Sequence, residues 1–395
     1  MKSLLGSLFN RSPIPLSTSS GTGLLSTLTG GSPTKKALES MGKVGTLFAI
    51  VNRTSNSTAR VEWSLFRRNG SGLKKDRTEV PNHAALDLWR TPNATTTTTQ
   101  FVEGFQQHVD LTGEGWWIIG RNPASTMPLE MWYVRPDRMQ VLVDAGGISG
   151  YVYRAPNGDR IPLAVDQVIS LIMPNPLDPW RGMGPVQSIF AEIDSYRFTA
   201  EWNRRFFLNS AEPGGIVEVT DNMSDVEFER MRLRWAETHQ GVSNAHRVAI
   251  LEGGAKWVSN AMTMRDMQFM ELREVSRDTI REAFGFPKAM LGAADDVNRA
   301  NALAAAAMFA DDLLVPRLER IKTALNFQLL PLFGTSGKGL EFDYANPVPS
   351  SAVDDDRHLG VSSLAAERLI KAGFDPAGTL ESLGLPAIKH SGGGF

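Results

Sequence analysis

The stretch AFGFPKAMLG, residues 283–292, separates two strong helical patterns within residues 263–330 and brings no catalytic constellation with it. Ahead of it, Thr263 and Asp266 stand in capping-box spacing, and Gly285 followed by Pro287 supplies the stop that a helix end needs. Behind it, a second helix starts near Asn298 and carries Ala302, Ala304, Ala305, Ala306 and Ala307, small side chains that favour helix and close backbone approach. Pro316 falls inside that second helix, and the missing N–H with its ring clash predicts a kink there. Two long helices joined by a short turn read as machinery rather than chemistry.

Upstream, the pattern predicts one helix from Pro185 to Asn209, about 36 Å long at 1.5 Å per residue. It bears two apolar stripes. Val186, Ile189, Ile193 and Ala200 form one, and Phe198, Trp202 and Phe206 at spacing four form the other. Two stripes fit either two partners, the helix of residues 264–284 and a neighbouring subunit, or burial inside one large domain. On the helix of residues 264–284, Arg273, Arg277 and Arg281 run beside Glu274, Asp278 and Glu282, each row at spacing four. These rows can pair within the helix, at about 0.2–0.5 kcal/mol per pair, or meet the opposite row of the next subunit around a closed ring. Between the two helices lies a small unit. Its strand is GIVEV (215–219), its helix opens at Ser224 and Glu227 in capping-box spacing, and RVAIL (247–251) is a second strand. Phe228, Met231 and Trp235 mark the buried side of that helix, leaving Glu227, Arg230 and Arg234 as an outward charged stripe.

Residues 12–34 are rich in Ser, Thr, Gly and Pro and read as mobile. From Val44 the pattern is mixed. Val44, Leu47, Phe48 and Val51 keep helical spacing, Val61, Trp63 and Leu65 alternate as in a strand, and helices are expected near 82–90 and 100–112. Short strands follow at 116–119, 131–134, 139–143, 150–154 and 167–173, separated by turn signals such as Pro156-Asn157-Gly158. The fold class is therefore α+β, and the length of 395 residues suits two or three packed units. A further amphipathic helix is expected from Ser362 to Ala372.

Composition removes several function classes. There is no cysteine, so disulfides, thiolate metal sites and cysteine nucleophiles are excluded. The 41 Lys plus Arg and 43 Asp plus Glu give a net charge of -2, so the chain lacks the basic excess of a tight, nonspecific DNA binder. No apolar run reaches the length that crosses a bilayer, and MKSLLGSLF does not make a leader, which suggests a cytoplasmic origin without membrane insertion. GTSGKG (334–339) departs from the phosphate-loop spacing, and no G-x-S-x-G elbow occurs. The six histidines, His83, His108, His239, His246, His358 and His390, form no ligand pair, and Asp354, Asp355 and Asp356 read as a solvated helix start rather than a metal cluster. No cofactor, metal or catalytic residue is expected. Trp116, Trp117, Trp180 and Trp257 read as packing residues rather than base-stacking platforms.

The blocks MPNPLDPWRGMGPV (173–186), FFLNSAEPGGIVEV (206–219), ILEGGAKW (250–257) and AFGFPKAMLG, in that order, resemble the portal proteins of long-tailed bacteriophages over about residues 44–342. The resemblance implies a flexible segment 1–43, a wing at 44–184 continued at 300–349, stem helices at 185–209 and 263–285, a clip at 210–262, a tunnel loop at 286–299 and a crown with tail at 350–395. It also implies a homo-oligomeric ring, dodecameric in the family pattern, set at a capsid vertex of the virion after assembly in the host cytoplasm. Double-stranded DNA would pass through it during packaging and ejection. The terminase large subunit and later a head-tail adaptor protein would dock near residues 210–260, where Glu227, Arg230 and Arg234 lie, and the major capsid or scaffold protein would surround it. In the tunnel loop the cations are Lys288 and Arg299, which would touch phosphates without reading bases, with Asp295 and Asp296 limiting the attraction. Phe198, Trp202, Phe206 and the charged rows would form the subunit interface. Two other classes compete: an enzyme acting on DNA, for which no carboxylate or phosphate-binding cluster is found, and an oligomeric head scaffold or adaptor that never touches DNA.

Overall fold

Strand β3 organises the fold, because both of its faces are buried. In the computed structural model, which describes residues 32–70, 73–122, 127–208, 216–218, 224–239, 256–258, 268–291, 299–349 and 352–385, the chain runs through twelve α-helical segments and eleven strands. Helices α1 (Pro33–Ser40) and α2 (Gly45–Ala59) lead to strand β1 (Trp63–Arg67) and the short β2 (Thr78–Glu79). Helices α3 (Ala84–Arg90) and α4 (Thr98–Thr112) precede β3 (Glu114–Arg121), β4 (Pro128–Val134), β5 (Met139–Asp144), β6 (Gly147–Arg154), β7 (Arg160–Leu163) and β8 (Val168–Ile172). Then come α5 (Pro185–Ser188), α6 (Phe190–Leu208), β9 (Ile216–Glu218), α7 (Asp225–His239), β10 (Lys256–Val258) and α8 (Gln268–Ala283). Helices α9 (Arg299–Met308) and α10 (Val315–Ala324), strand β11 (Leu340–Tyr344), α11 (Ala352–Lys371) and α12 (Pro376–Ser382) complete the order.

The alternation along β3 assigns its side chains to two layers. Trp117 and Ile119 face helix α4, where Phe105 and Phe101 lie 4.3 and 5.5 Å from the Trp117 ring, in a core that also takes Leu65, Trp89, Leu325 and Phe342. Trp116 and Ile118 face the other way, onto Met139, Tyr151, Ile161 and Leu163 of the antiparallel sheet β5-β6-β7. Helix α4 is fixed at its start by a reciprocal cap between Thr97 and Gln100 and ends at Gly113, whose φ of 75° a side chain would resist. The two tryptophans are core residues, as the sequence implies.

The first core closes through a non-local pairing. Strand β11 lies antiparallel beside β1, with Leu65 opposite Phe342, so the end of the long helical run returns to the first strand. Asp343 on β11 accepts from Arg77 at 2.7 Å and Lys322 at 2.8 Å; burial alone would raise its carboxyl, but these donors hold it at about 2. A second buried pair, Arg317 to Asp110 at 2.9 Å, fastens α10 to α4, with burial pushing the Asp110 carboxyl up against the pull of Arg317.

Several expectations need correction. Residues 32–43 are not part of a flexible arm: Pro33–Ser40 is helical, Ala37 is fully buried, and Lys36 binds Asp194 on α6 at 2.8 Å. The helix expected from Pro185 to Asn209 is broken at Ile189, whose φ and ψ of -117° and 25° leave a short α5 before α6. Phe48 is half exposed rather than core, because Leu47, Ile50 and Val51 already fill the inner face of α2. The run around Pro316 stays helical. It is accommodated by a π-helical turn over Phe309–Leu314 just ahead of the proline, a wider hydrogen-bond pattern that tolerates the missing N–H. Strands β2, β7 and β11 lie outside the sequence expectations.

Within this frame one buried carboxylate sets where the helical half begins. Glu114, at the start of β3 with its side chain 2% exposed, accepts from Arg181 Nε and Nη2 at 2.7 and 2.9 Å, from the Gly182 N–H at 2.9 Å and from Trp116 Nε1 at 3.1 Å. Arg181 also donates to the Met139 carbonyl at 2.9 Å, bridging to the second sheet. The approach is so tight that a Cβ on Gly182 would sit 2.1 Å from the Gly113 oxygen. Helix α5 starts three residues later, at Pro185.

Two measurements follow. Removing one partner of a buried ion pair strands the other, so Glu114→Ala and Arg181→Ala are each expected to lower unfolding free energy by about 3 kcal/mol, with the double variant far from additive; additive losses in denaturant titration would disprove the clamp. The His108 ring lies tilted against Tyr133 at 5.7 Å with its Nδ1 sealed and unpartnered, and burial, then Arg135, depresses its pKa to about 4. The folded state therefore holds fewer protons than the unfolded one between about pH 4 and 6.5. The contribution of His108 is complete above about 6.5 and is lost as pH falls toward 4, so His108→Gln should flatten the stability slope there by up to about 1.4 kcal/mol per pH unit. Identical slopes for the two proteins would contradict this.

Candidate assembly and channel surfaces

Helices α6 and α8 lie against one another on a shared base. Val186, Ile189 and Ile193 from α5 and α6 join Ile280 and Phe284 from α8 in one buried cluster with Leu47, Ile50 and Val51 of α2 and Phe309, Leu313 and Leu318 of the long helical run. Val186, Ile189 and Ile193 are three of the four residues of the first stripe read from the sequence; the fourth, Ala200, is exposed, because the cluster ends near Ile193. Of the second stripe, Phe198 is 75% exposed, and the side chains of Trp202 and Phe206 lie outside the described residues. On α8, Val275 is 61% exposed. One flank of each helix is therefore anchored in its own chain while another presents apolar surface to solvent, which costs free energy unless a further surface covers it.

The charged rows divide in the same way. Arg281 is committed within the chain, donating to Asp278 at 3.2 Å, to Glu282 at 3.3 Å and to the Phe286 carbonyl at 3.4 Å, so it staples the helix end to the following turn and is not available to a neighbour. Arg277 is exposed and Asp278 partly so, while the side chains of Arg273 and Glu274 lie outside the described residues. The turn ends α8 as the sequence implies: Gly285 takes φ 62°, and the N–H groups of Gly285 and Phe286 return to Glu282 and Arg281. The helix start at Thr263 and Asp266 lies outside the described residues.

The segment expected to project as a loop begins as part of the core. Phe286 is 1% exposed and meets Phe309 edge-on at 5.3 Å, and Arg53 donates to the Met290 carbonyl across the 3-10 turn Lys288–Leu291. Lys288 is exposed between these two anchors and makes no ion pair among the described residues. Residues 292–298 lie outside them, and Arg299 is the first residue of α9 without a described side chain.

The small unit between α6 and α8 has β9 and β10 paired antiparallel, with Trp257 opposite Val217; the expected strand 247–251 lies outside the described residues. Helix α7 opens with Glu227 accepting from the Ser224 N–H at 3.0 Å and from its hydroxyl at 2.6 Å, bonds that hold the Glu227 carboxyl below the usual range. Glu227, Arg230 and Arg234 are exposed, as expected. Phe228 is not buried, however: it is 57% exposed, and Val226 and Leu233, on another side of the helix, are more than half exposed as well. Met231 is half-buried, and Trp235 has no described side chain. Among the described residues there is no cluster of three metal-ligating side chains and no helix long and apolar enough to cross a membrane.

The chain thus combines an α+β sheet region with a helical pair that brackets a small α/β insertion. A profile of the phage portal protein family matches residues 45–350, and the chain belongs to that family. A probable portal protein of Streptomyces phage phiC31 is 26% identical over 294 residues, covering 72% of this chain and 63% of that one. Among solved structures, the neck of an empty gene transfer agent particle computed with C6 symmetry superposes with a TM-score of 0.66 at 24% identity, over 90% of this chain and 95% of that one. The neck of a native particle computed with C12 symmetry gives 0.62 at 24%, over 89% and 93%. An HK97 family phage portal protein from Corynebacterium diphtheriae gives 0.53 at 14% identity, over 78% and 95%. The family is structural rather than enzymatic.

The sequence did not reveal the Glu114 clamp, although a carboxylate opening an otherwise apolar strand, EGWWIIG, is the signal that a buried partner exists. If the free flank of α6 is an assembly surface, Phe198→Asp should dissociate the oligomer in sedimentation while leaving the circular dichroism unchanged. Reversing the charges of Arg277 and Asp278 singly, then together, separates the two readings of the charged rows: no loss of assembly in either single variant removes the intersubunit version.

Proposed function

We propose that copies of this chain close into a ring, twelve in the complete assembly, at one vertex of a viral capsid, and that double-stranded DNA passes through the opening during packaging and ejection. The single observation that carries this reading is the family match over residues 45–350 together with the portal-like fold of nearly the whole chain. The C12 symmetry of the related neck supports the subunit number, and the exposed flank of α6 supports closure by side-to-side contact.

In this reading residues 44–184 and 300–349 are the wing, 185–209 and 263–285 the stem, 210–262 the clip, 286–299 the tunnel loop and 350–395 the crown with its tail. The terminase large subunit docks on the clip, where Glu227, Arg230 and Arg234 are exposed, and a head-tail adaptor protein later takes the same end. Major capsid or scaffold protein surrounds the wing. The ring is built in the host cytoplasm and remains in the virion. The near-neutral chain suits a conduit, since a surface that neutralised many phosphates would hold DNA still. Lys288, exposed on its anchored turn, and Arg299 would touch passing phosphates.

The competing reading, a scaffold or adaptor that never meets DNA, predicts a particle without a threaded duplex. Electron microscopy of the purified protein in the presence of duplex DNA distinguishes them: a ring with DNA in its opening is expected, and a closed or open-ended assembly that excludes DNA would refute the conduit. Packaging with Lys288 and Arg299 both changed to Ala tests the two cations, for which slower or shorter filling is expected; normal rate and DNA length would end their role.

A further inference from the structure

The outer face of the sheet β5-β6-β7 carries a row of like charges that its own chain does not neutralise. Arg154 on β6 stands directly opposite Arg160 on β7. Met139 pairs with Tyr153 on the other side, so Arg138, one residue earlier, falls in line with Arg154. The inward face of this sheet is the packed one, with Tyr151, Ile161 and Leu163 buried; Arg154 and Arg160 are exposed on the opposite face, and Arg138 is half-buried beside them. Strand spacing of about 4.8 Å places the three backbone positions along a line of about 10 Å.

Like charges set directly across a sheet are unfavourable unless something opposes them. The acids nearby are already engaged. Arg135 holds both oxygens of Asp137, at 3.0 and 2.8 Å, and Asn157 donates to Asp159 at 2.6 Å. Among the described residues none of the three arginines is in an ion pair. Arg160 is oriented instead by donating to Gln140 at 3.1 Å, which keeps its guanidinium on the row. Between them lies a hollow of about 40 Å³, lined by Arg138, Gln140, Val152, Arg154 and Arg160 with Asp137 at its edge.

We propose that this row binds the phosphate backbone of double-stranded DNA. The hollow between the three side chains has room for a phosphate oxygen. Three arginines at register-matched backbone positions suit a polymer that repeats its charge along one direction, and arginine's planar fork suits phosphate. Such contacts position the duplex without reading its sequence. The inference rests on the portal reading for the identity of the polyanion, and the positively charged row itself lies in the wing, away from Lys288 and Arg299 in the chain.

The test uses full-length protein and a fluorescent duplex, with binding followed by anisotropy across salt concentrations. Arg138→Gln, Arg154→Gln and Arg160→Gln in one protein should weaken binding by roughly tenfold at low salt and flatten the logarithmic salt dependence by about two to three. Changing the same three to Lys should keep most of the slope. Equal affinity and slope for the Gln variant and the parent, with circular dichroism unchanged, would overturn the proposal. Labelled polyglutamate that binds through the same arginines where duplex DNA does not would overturn it too, and would assign the row to an acidic protein partner. Particle size is measured alongside. Arginine-dependent DNA binding by a protein that never forms rings would sustain the site and sink the portal reading, whereas rings with an unchanged slope would sink the site alone.

Discussion

The Glu114 carboxylate, sealed at the head of β3 and held by Arg181, Gly182 and Trp116, is the contact on which the rest of the fold depends. It joins the two halves of the molecule at the place where the sheet region hands over to helices. Because the four hydrogen bonds it accepts come from the Trp116 side chain on the strand, the Arg181 side chain and the Gly182 N–H, the approach to α5 is fixed relative to β3 rather than left to a linker. The glycines at 113 and 182 allow the two backbones to approach closely enough for that geometry. Arg181 then carries the same constraint to β5 through the Met139 carbonyl.

Beyond this clamp the molecule divides by how completely it buries its own apolar surface. The sheet region is self-sufficient: β3 is covered on both faces, and β11 returns to β1 to close the core. The helical half is not. Its base is packed, yet Phe198, Val275, Phe228 and Leu233 remain exposed on α6, α8 and α7, and Leu359, Val361 and Leu364 on α11. A chain arranged in this way gains by association, since each copy can cover what its neighbour leaves open. That division agrees with membership of the phage portal family, whose resemblance here is carried by several sequence blocks in order rather than by any catalytic side chain.

Much of this was legible in the residues and some was not, for identifiable reasons. The stop at Gly285, the strands from β3 to β6 and the inner stripe of α6 follow from local chemistry and periodicity, which act within a few residues. The pairing of β1 with β11 joins positions more than 270 residues apart and leaves no local trace, so β11 passed unnoticed. Phe228 looked buried because helical spacing reveals which residues share a face, not whether anything covers that face. The break at Ile189 and the π turn before Pro316 reflect tertiary packing overriding helix propensity. Of the surface residues singled out, the sequence placed Glu227, Arg230 and Arg234 outside correctly, but it could not tell that Arg281 would be spent on its own turn.

In the proposed ring, the sheet region is complete within one chain while the exposed flank of α6 is covered by another copy. Hydrogen exchange read segment by segment, on protein held at monomer mass by dilution and on the assembled form, tests it most directly. Protection of α4 and β3 should be the same in both states, and protection of α6 beyond Ile193 should rise sharply on assembly. Equal protection of α6 in the two states would contradict the account.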